Sequence, residues 1–129
     1  MNRTIKFRAW DKKYGKMCDL TLLGLHCSFD ANPAVYGVWS AERTEKVAHY
    51  SDVELMQFTG LFDEDGTEIY EGDILEDDAD GLSYDVVEWN DKYAGWTTRS
   101  WYAPKDLADS AKLHRVAGNI YENPELLKV

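Results

Sequence analysis

Short stretches of alternating apolar and polar residues, cut by turn residues, constrain this sequence more than any other feature. Ile5-Lys6-Phe7-Arg8-Ala9-Trp10 alternates with Ile5, Phe7 and Ala9 on one face, which predicts a first strand. Asp11 to Lys16 reads as a turn and Met17 to Phe29 as a returning strand, broken by Asp30-Ala31-Asn32-Pro33. Val35 to Trp39 and Lys46 to Tyr50 are weaker strand candidates about a polar tip, Glu42 to Glu45. Glu54 to Thr59 alternates again. Asp65-Gly66 then suits a two-residue type I′ turn, in which both central residues take positive φ.

Glu71-Gly72-Asp73 is a second tight turn, Ile74-Leu75 opens the next strand and Asp80-Gly81 closes it. Tyr84 to Asn90 and Tyr93 to Ser100 read as partner strands, and Leu113 to Ile120 as the last. Helix is expected in two short pieces. Pro104 suits a first helical position and Lys105 to Lys112 holds helix formers. In the tail, Asn123 is an N-cap candidate, followed by Pro124 and Glu125 in the first turn. The expected fold is therefore mainly β, a small barrel-like or sandwich domain of antiparallel strands with one or two short helices. A length of 129 residues suits one domain, and no repeat or Pro/Gly/Ser linker divides it, so 1–129 is read as a single unit.

No apolar run approaches the roughly 18 residues of a membrane span, and Met1 to Phe7 has no continuous apolar core like that of an export signal. These features predict a cytoplasmic protein without membrane contact. Cys18 and Cys27 are too few for a disulfide framework or a zinc site and are expected to be reduced and inert.

The net charge of −10 is concentrated in one stretch. Asp63, Glu64, Asp65, Glu68, Glu71, Asp73, Glu76, Asp77, Asp78 and Asp80 contain no Lys or Arg among them. The remaining 14 acids balance the 14 Lys and Arg. Such a stretch repels phosphate, because nucleic-acid affinity rests on counterion release to basic residues. It reads as solvated turns that aid solubility, or as an interaction face for a basic partner, or as a mimic of nucleic-acid charge. A calcium loop fits poorly. Placing Asp63, Asp65 and Gly66 in the EF-hand frame puts Leu61 first and Gly72 last, and the frame through Glu76, Asp78, Asp80 and Gly81 ends on Val87.

Catalytic signatures are missing. The sequence has no phosphate-cradling glycine loop, no nucleophile elbow and no HExxH. His26, His49 and His114 are far apart and none has a second ligand at metal spacing. No catalytic, cofactor-binding or metal residue is assigned, and the chain is expected not to be an enzyme. The 5 Trp and 8 Tyr favour strands. Trp10, Trp39, Trp89, Trp96 and Trp101 read as cross-strand packing, the alternative being a platform on which bases or sugars stack. Arg3, Lys6, Arg8, Lys12, Lys13 and Lys16 gather near the N-terminus as a basic edge, which also permits head-to-tail self-association with the acidic stretch.

Three blocks stand out together: Ile5-Lys6-Phe7-Arg8-Ala9-Trp10-Asp11; Met56-Gln57-Phe58-Thr59-Gly60-Leu61 with Asp63, Gly66 and Ile69-Tyr70-Glu71-Gly72-Asp73-Ile74; and Val116 with Gly118-Asn119-Ile120-Tyr121-Glu122-Asn123-Pro124-Glu125-Leu126-Leu127. In this order the sequence resembles the YopX family of phage and prophage proteins. The resemblance implies a β-rich fold in a bacterial host cell and supplies no catalytic residues. Thr21 to Val53 and Ala79 to Asp109 match no part of the pattern. Physically, the blocks read as folding instructions. Gly60, Gly66, Gly72 and Gly118 suit turns or strand irregularities, while Asp63 and Asp73 can cap their own turns. The leading expectation is a non-enzymatic accessory protein that binds protein, itself or a host protein, as a homo-oligomer in the first case. The alternative is a nucleic-acid-associated protein acting through the basic edge, or an acidic mimic acting on a host protein.

Overall fold

Alternation becomes strand wherever the local pattern is strong. The computed structural model describes residues 4–20, 38–39, 46–48, 53–77, 83–99 and 107–127. In chain order its strands are β1 (Phe7–Asp11), β2 (Lys16–Leu20), β3 (Val38–Trp39), β4 (Lys46–Ala48), β5 (Val53–Phe62), β6 (Glu68–Tyr70), β7 (Asp73–Asp77), β8 (Tyr84–Asn90), β9 (Gly95–Thr98) and β10 (His114–Asn119). A single helical turn, α1 (Leu107–Ser110), and two 3-10 turns, Ala111–Leu113 and Pro124–Leu127, are the helical elements among the described residues. The fold is mainly β and all its strand pairs are antiparallel, in the orders β2-β1-β5-β6, β10-β7-β8-β9 and β3-β4. Two compact units emerge, Met1–Gln57 and Phe58–Val129, and β5 runs through the division. No helix among the described residues is long and apolar enough to cross a membrane.

In the first unit, β1 pairs on one side with β2, Ala9 opposite Cys18, and on the other with the start of β5, Ala9 opposite Leu55. Ala9 and Asp11 are buried, while Ile5 lies ahead of the strand and stays exposed, so the expected apolar face begins two residues later. Burial of Asp11 follows from its turn. Its Oδ1 accepts the backbone N–H groups of Lys13 at 2.9 Å and Tyr14 at 3.1 Å, and its carbonyl accepts that of Gly15 at 2.8 Å. β3 and β4 form a separate ladder. The expected tip between them, the break at Asp30 to Pro33 and the far part of the strand to Phe29 lie outside the described residues.

In the second unit, β7 and β8 are central and buried on both faces, since consecutive residues are buried on each: Ile74 and Leu75 on β7, and Asp85, Val86 and Val87 on β8. Ile69, Leu75, Val87, Leu107 and Ala111 form a core cluster, with Leu61, Trp96 and Val116 packed against it. Each such aliphatic side chain contributes about 1.5–3 kcal/mol when removed from water. The last part of β5 pairs with β6 through an irregularity between Phe58 and Phe62, where Thr59 Oγ1 donates to the Ile69 carbonyl at 2.7 Å and accepts the Leu61 N–H at 3.1 Å.

Three local expectations are corrected here. At Asp65-Gly66 only the glycine has positive φ, at 82°. The Gly66 N–H donates to the Asp63 carbonyl at 3.1 Å and the Asp63 N–H to the Thr67 carbonyl at 2.9 Å, giving a three-residue hairpin loop closed by a left-handed glycine in place of a type I′ turn. The expected helix to Lys112 is one α-turn that tightens into a 3-10 turn, because Leu107 and Ala111 anchor in the core and His114 is already extended, at φ −132° and ψ 167°. Pro104 to Asp106 lie outside the described residues. The tail is a 3-10 turn, and the Asn123 side chain points back to β10, where Oδ1 accepts the Asn119 N–H at 3.2 Å, so it does not act as the expected N-cap oxygen.

Candidate functional site

The acidic stretch divides by role. Asp63 and Asp73, counted by sequence in the possible interaction face, are 4% and 1% exposed and cannot belong to one. A carboxylate leaves water at tolerable cost only when hydrogen bonds replace its hydration. Asp63 Oδ1 accepts the N–H groups of Asp65 and Thr67, both at 2.8 Å, and its Oδ2 accepts the Val116 N–H at 2.9 Å. Asp73 Oδ2 accepts the Tyr70 N–H at 2.7 Å across the β6–β7 turn. Both therefore clasp turns, and Asp63 also fastens its turn to β10.

Glu64 and Asp65 are exposed, but Arg115 of β10 reaches both, through Nη2 to Glu64 and through Nε to Asp65 at 3.1 Å. Glu68, Glu71 and Glu76 are half-buried, and Glu76 lies opposite Arg115 in the β7–β10 register. Asp77 ends β7, and Asp78 and Asp80 lie outside the described residues. The eight carboxylates among the described residues are thus spread over a hairpin loop, two strands and a turn.

The basic edge also contracts. Lys6 and Arg8 are half-buried, and Arg3 lies outside the described residues. Lys12, Lys13 and Lys16 remain exposed on the β1–β2 turn beside Tyr14, which is 68% exposed. Lys12 lies 3.5 Å from Glu54, and Lys13 sits over the Tyr14 ring at 5.3 Å from its centroid.

Two exposed aromatic side chains of the second unit, Trp89 and Tyr93, lie where β8 turns into β9. Trp89 and Trp96 are directly opposed in the register, edge to face, with ring centroids 5.2 Å apart and planes at 77°. Trp96 packs on the core, while Trp89 keeps 45% of its surface exposed and Tyr93 in the turn keeps 63%. The sequence reading of the tryptophans as packing residues holds for Trp96 and misses this exposure. The clue lay in the polar Asn90-Asp91 directly after Trp89, which puts that indole at a hairpin end. The tip is held in shape: Asn90 Oδ1 accepts the Lys92 and Tyr93 N–H groups at 2.9 and 3.2 Å, and Ala94 takes a left-handed φ of 50°.

Two more turns reach the same end of the sheet. The Gly72 N–H donates to the Val87 carbonyl at 2.9 Å, which sets Glu71-Gly72 beside β8. The Ile120 N–H donates to the Gly72 carbonyl at 3.0 Å, which adds the turn carrying Glu122. Glu88 pairs with Arg99 at 3.1 Å, and Asp91 is exposed. The exposed Trp89 and Tyr93 thus stand at an end where Glu71, Glu88, Asp91 and Glu122 outnumber the bases Lys92 and Arg99. Rigid aromatic groups of this kind are enriched at protein contacts.

Among the described residues no group of three or more His, Cys, Asp or Glu is arranged to hold a metal ion. His114 is buried at the start of β10, and His26, His49 and Cys27 lie outside the described residues.

A family model described as "YopX protein" matches residues 6–128. The chain is similar to the crystal structure of protein EF1440 from Enterococcus faecalis, at 25% sequence identity and a TM-score of 0.60, over 96% of this chain and 98% of that one. No curated protein matches.

Proposed function

The chain belongs to the YopX family, and from that premise we propose that it is a phage or prophage accessory protein, working in the bacterial cytoplasm by binding protein and not by catalysis. The observation that carries this reading is the β8–β9 end, where Trp89 and Tyr93 are exposed on a tip fixed by the Asn90 side chain. Aromatic side chains with few rotatable bonds supply contact area at low entropic cost, and such residues dominate binding energy at interfaces. The clasping roles of Asp63 and Asp73 support the same reading, since they assign prominent residues of the recognisable blocks to folding.

The test is comparative capture. The immobilised chain and a Trp89→Ala/Tyr93→Ala variant are exposed to the same host-cell lysate and the bound proteins identified. The variant is expected to lose the partner that the unmodified chain retains. Equal capture of that partner by both would contradict the assignment.

A further inference from the structure

We propose that the Trp89–Tyr93 surface takes the β1–β2 turn of a second copy of this chain, so that the protein assembles head to tail; this rests on the protein-binding reading above and names the partner. Charge complementarity carries the inference. The β1–β2 turn and the first residue of β2 present Lys12, Lys13 and Lys16, all exposed, and among the described residues Lys13 and Lys16 make no ion pair. Asp11 beneath the turn is 0% exposed with its Oδ1 held by two backbone N–H groups, and the exposed Glu54 pairs with Lys12, which leaves Lys13 and Lys16 as the charges presented to a partner. No other segment of the sequence places three lysines within five residues.

The receiving end has the opposite character. The turns and strand ends there carry Glu71, Glu88, Asp91 and Glu122 along with two exposed aromatic side chains, and among the described residues Lys92 and Arg99 are the bases of these segments, the second already paired with Glu88. Lysine ammonium groups are attracted both to such carboxylates and to the faces of Trp and Tyr. The exposed Tyr14 beside the lysines gives the incoming turn an apolar part to set against Trp89. The two surfaces differ, so the contact is heterologous. It propagates until the rotation between copies closes a ring, or continues as an open chain.

Light scattering on the full chain over a concentration series tests this. At low salt the mass is expected to rise above the 14.8 kDa of one chain with concentration, and to fall back at high salt, where charges further apart than about 3 Å are screened. Two variants, Lys12→Glu/Lys13→Glu/Lys16→Glu and Trp89→Ala/Tyr93→Ala, are each expected to be monomeric. Each keeps the surface the other has lost, so an equimolar mixture of them is expected to form a two-chain complex, a result that misfolded variants cannot give. A monomeric unmodified chain at low salt, or a mixture that stays monomeric when both variants show unmodified circular dichroism, overturns the inference. If the chain is monomeric yet Trp89→Ala/Tyr93→Ala loses a captured host protein, self-assembly falls and the protein-binding reading stands.

Discussion

Asp63 Oδ2 accepts the backbone N–H of Val116 at 2.9 Å across 53 residues of sequence, joining a hairpin loop to the strand that closes the second sheet. Its other oxygen holds two N–H groups of the loop itself. Asp63→Ala leaves all of these donors without their acceptor in a part-buried place. The expected loss is about 3 kcal/mol or more, measured by urea unfolding, and Asp63→Asn is expected to cost less because one side-chain oxygen remains. A loss under about 0.5 kcal/mol, the range of ordinary surface substitutions, would refute the clasp.

Arg115 touches two carboxylates of the same loop and still matters far less. Its ion pairs with Glu64 and Asp65 are exposed to solvent and salt. Arg115→Ala is expected to cost about 0–1 kcal/mol, and less as salt rises. Comparing its unfolding midpoint with that of Asp63→Ala in one buffer checks the ranking.

Gly118 is needed for a close approach. A Cβ there would lie 2.6 Å from Asn123 Cγ, with Oδ1 closer still. Gly118→Ala is expected to cost about 1–3 kcal/mol through overpacking. Combining it with Asn123→Gly is expected to recover part of that loss, so a thermal-melt double-mutant cycle should return a clear coupling term. Strict additivity would place the strain elsewhere.

Ala94 holds a left-handed φ of 50° at the β8–β9 tip. That conformation costs an L-residue roughly 1–2 kcal/mol, partly offset by the greater freedom glycine brings to the unfolded chain. Ala94→Gly is therefore expected to raise the melting temperature slightly, and a marked fall would contradict the strained tip.

Much of the fold was legible in local pattern. β8 matches its expected bounds, Tyr84 to Asn90, and β7 begins at Asp73, one residue before the start predicted at Ile74. What escaped depends on which partner a side chain meets once strands and turns have packed. Asn123 has the spacing of an N-cap, yet its oxygen serves Asn119 because Gly118 lets the tail fold close to β10. Asp63 and Asp73 read both as members of an acidic surface and as caps of their own turns; the caps are present, and what the sequence did not show is their burial and the reach of Asp63 to Val116. Trp89 and Trp96 look alike in sequence. Their difference arises because Trp96 faces the Leu75–Leu107 core, while Trp89 sits beyond the reach of that cluster.

The central claim is that the protein makes its contacts through the Trp89–Tyr93 end, and not through the Glu64–Asp65 part of the acidic run. Capture by Glu64→Gln/Asp65→Asn, compared directly with Trp89→Ala/Tyr93→Ala, tests it with one readout, the amount of the identified partner retained. The account predicts that the acid-neutralised variant keeps its partner and the aromatic variant loses it. Loss from the acid-neutralised variant with retention by the aromatic one would contradict it.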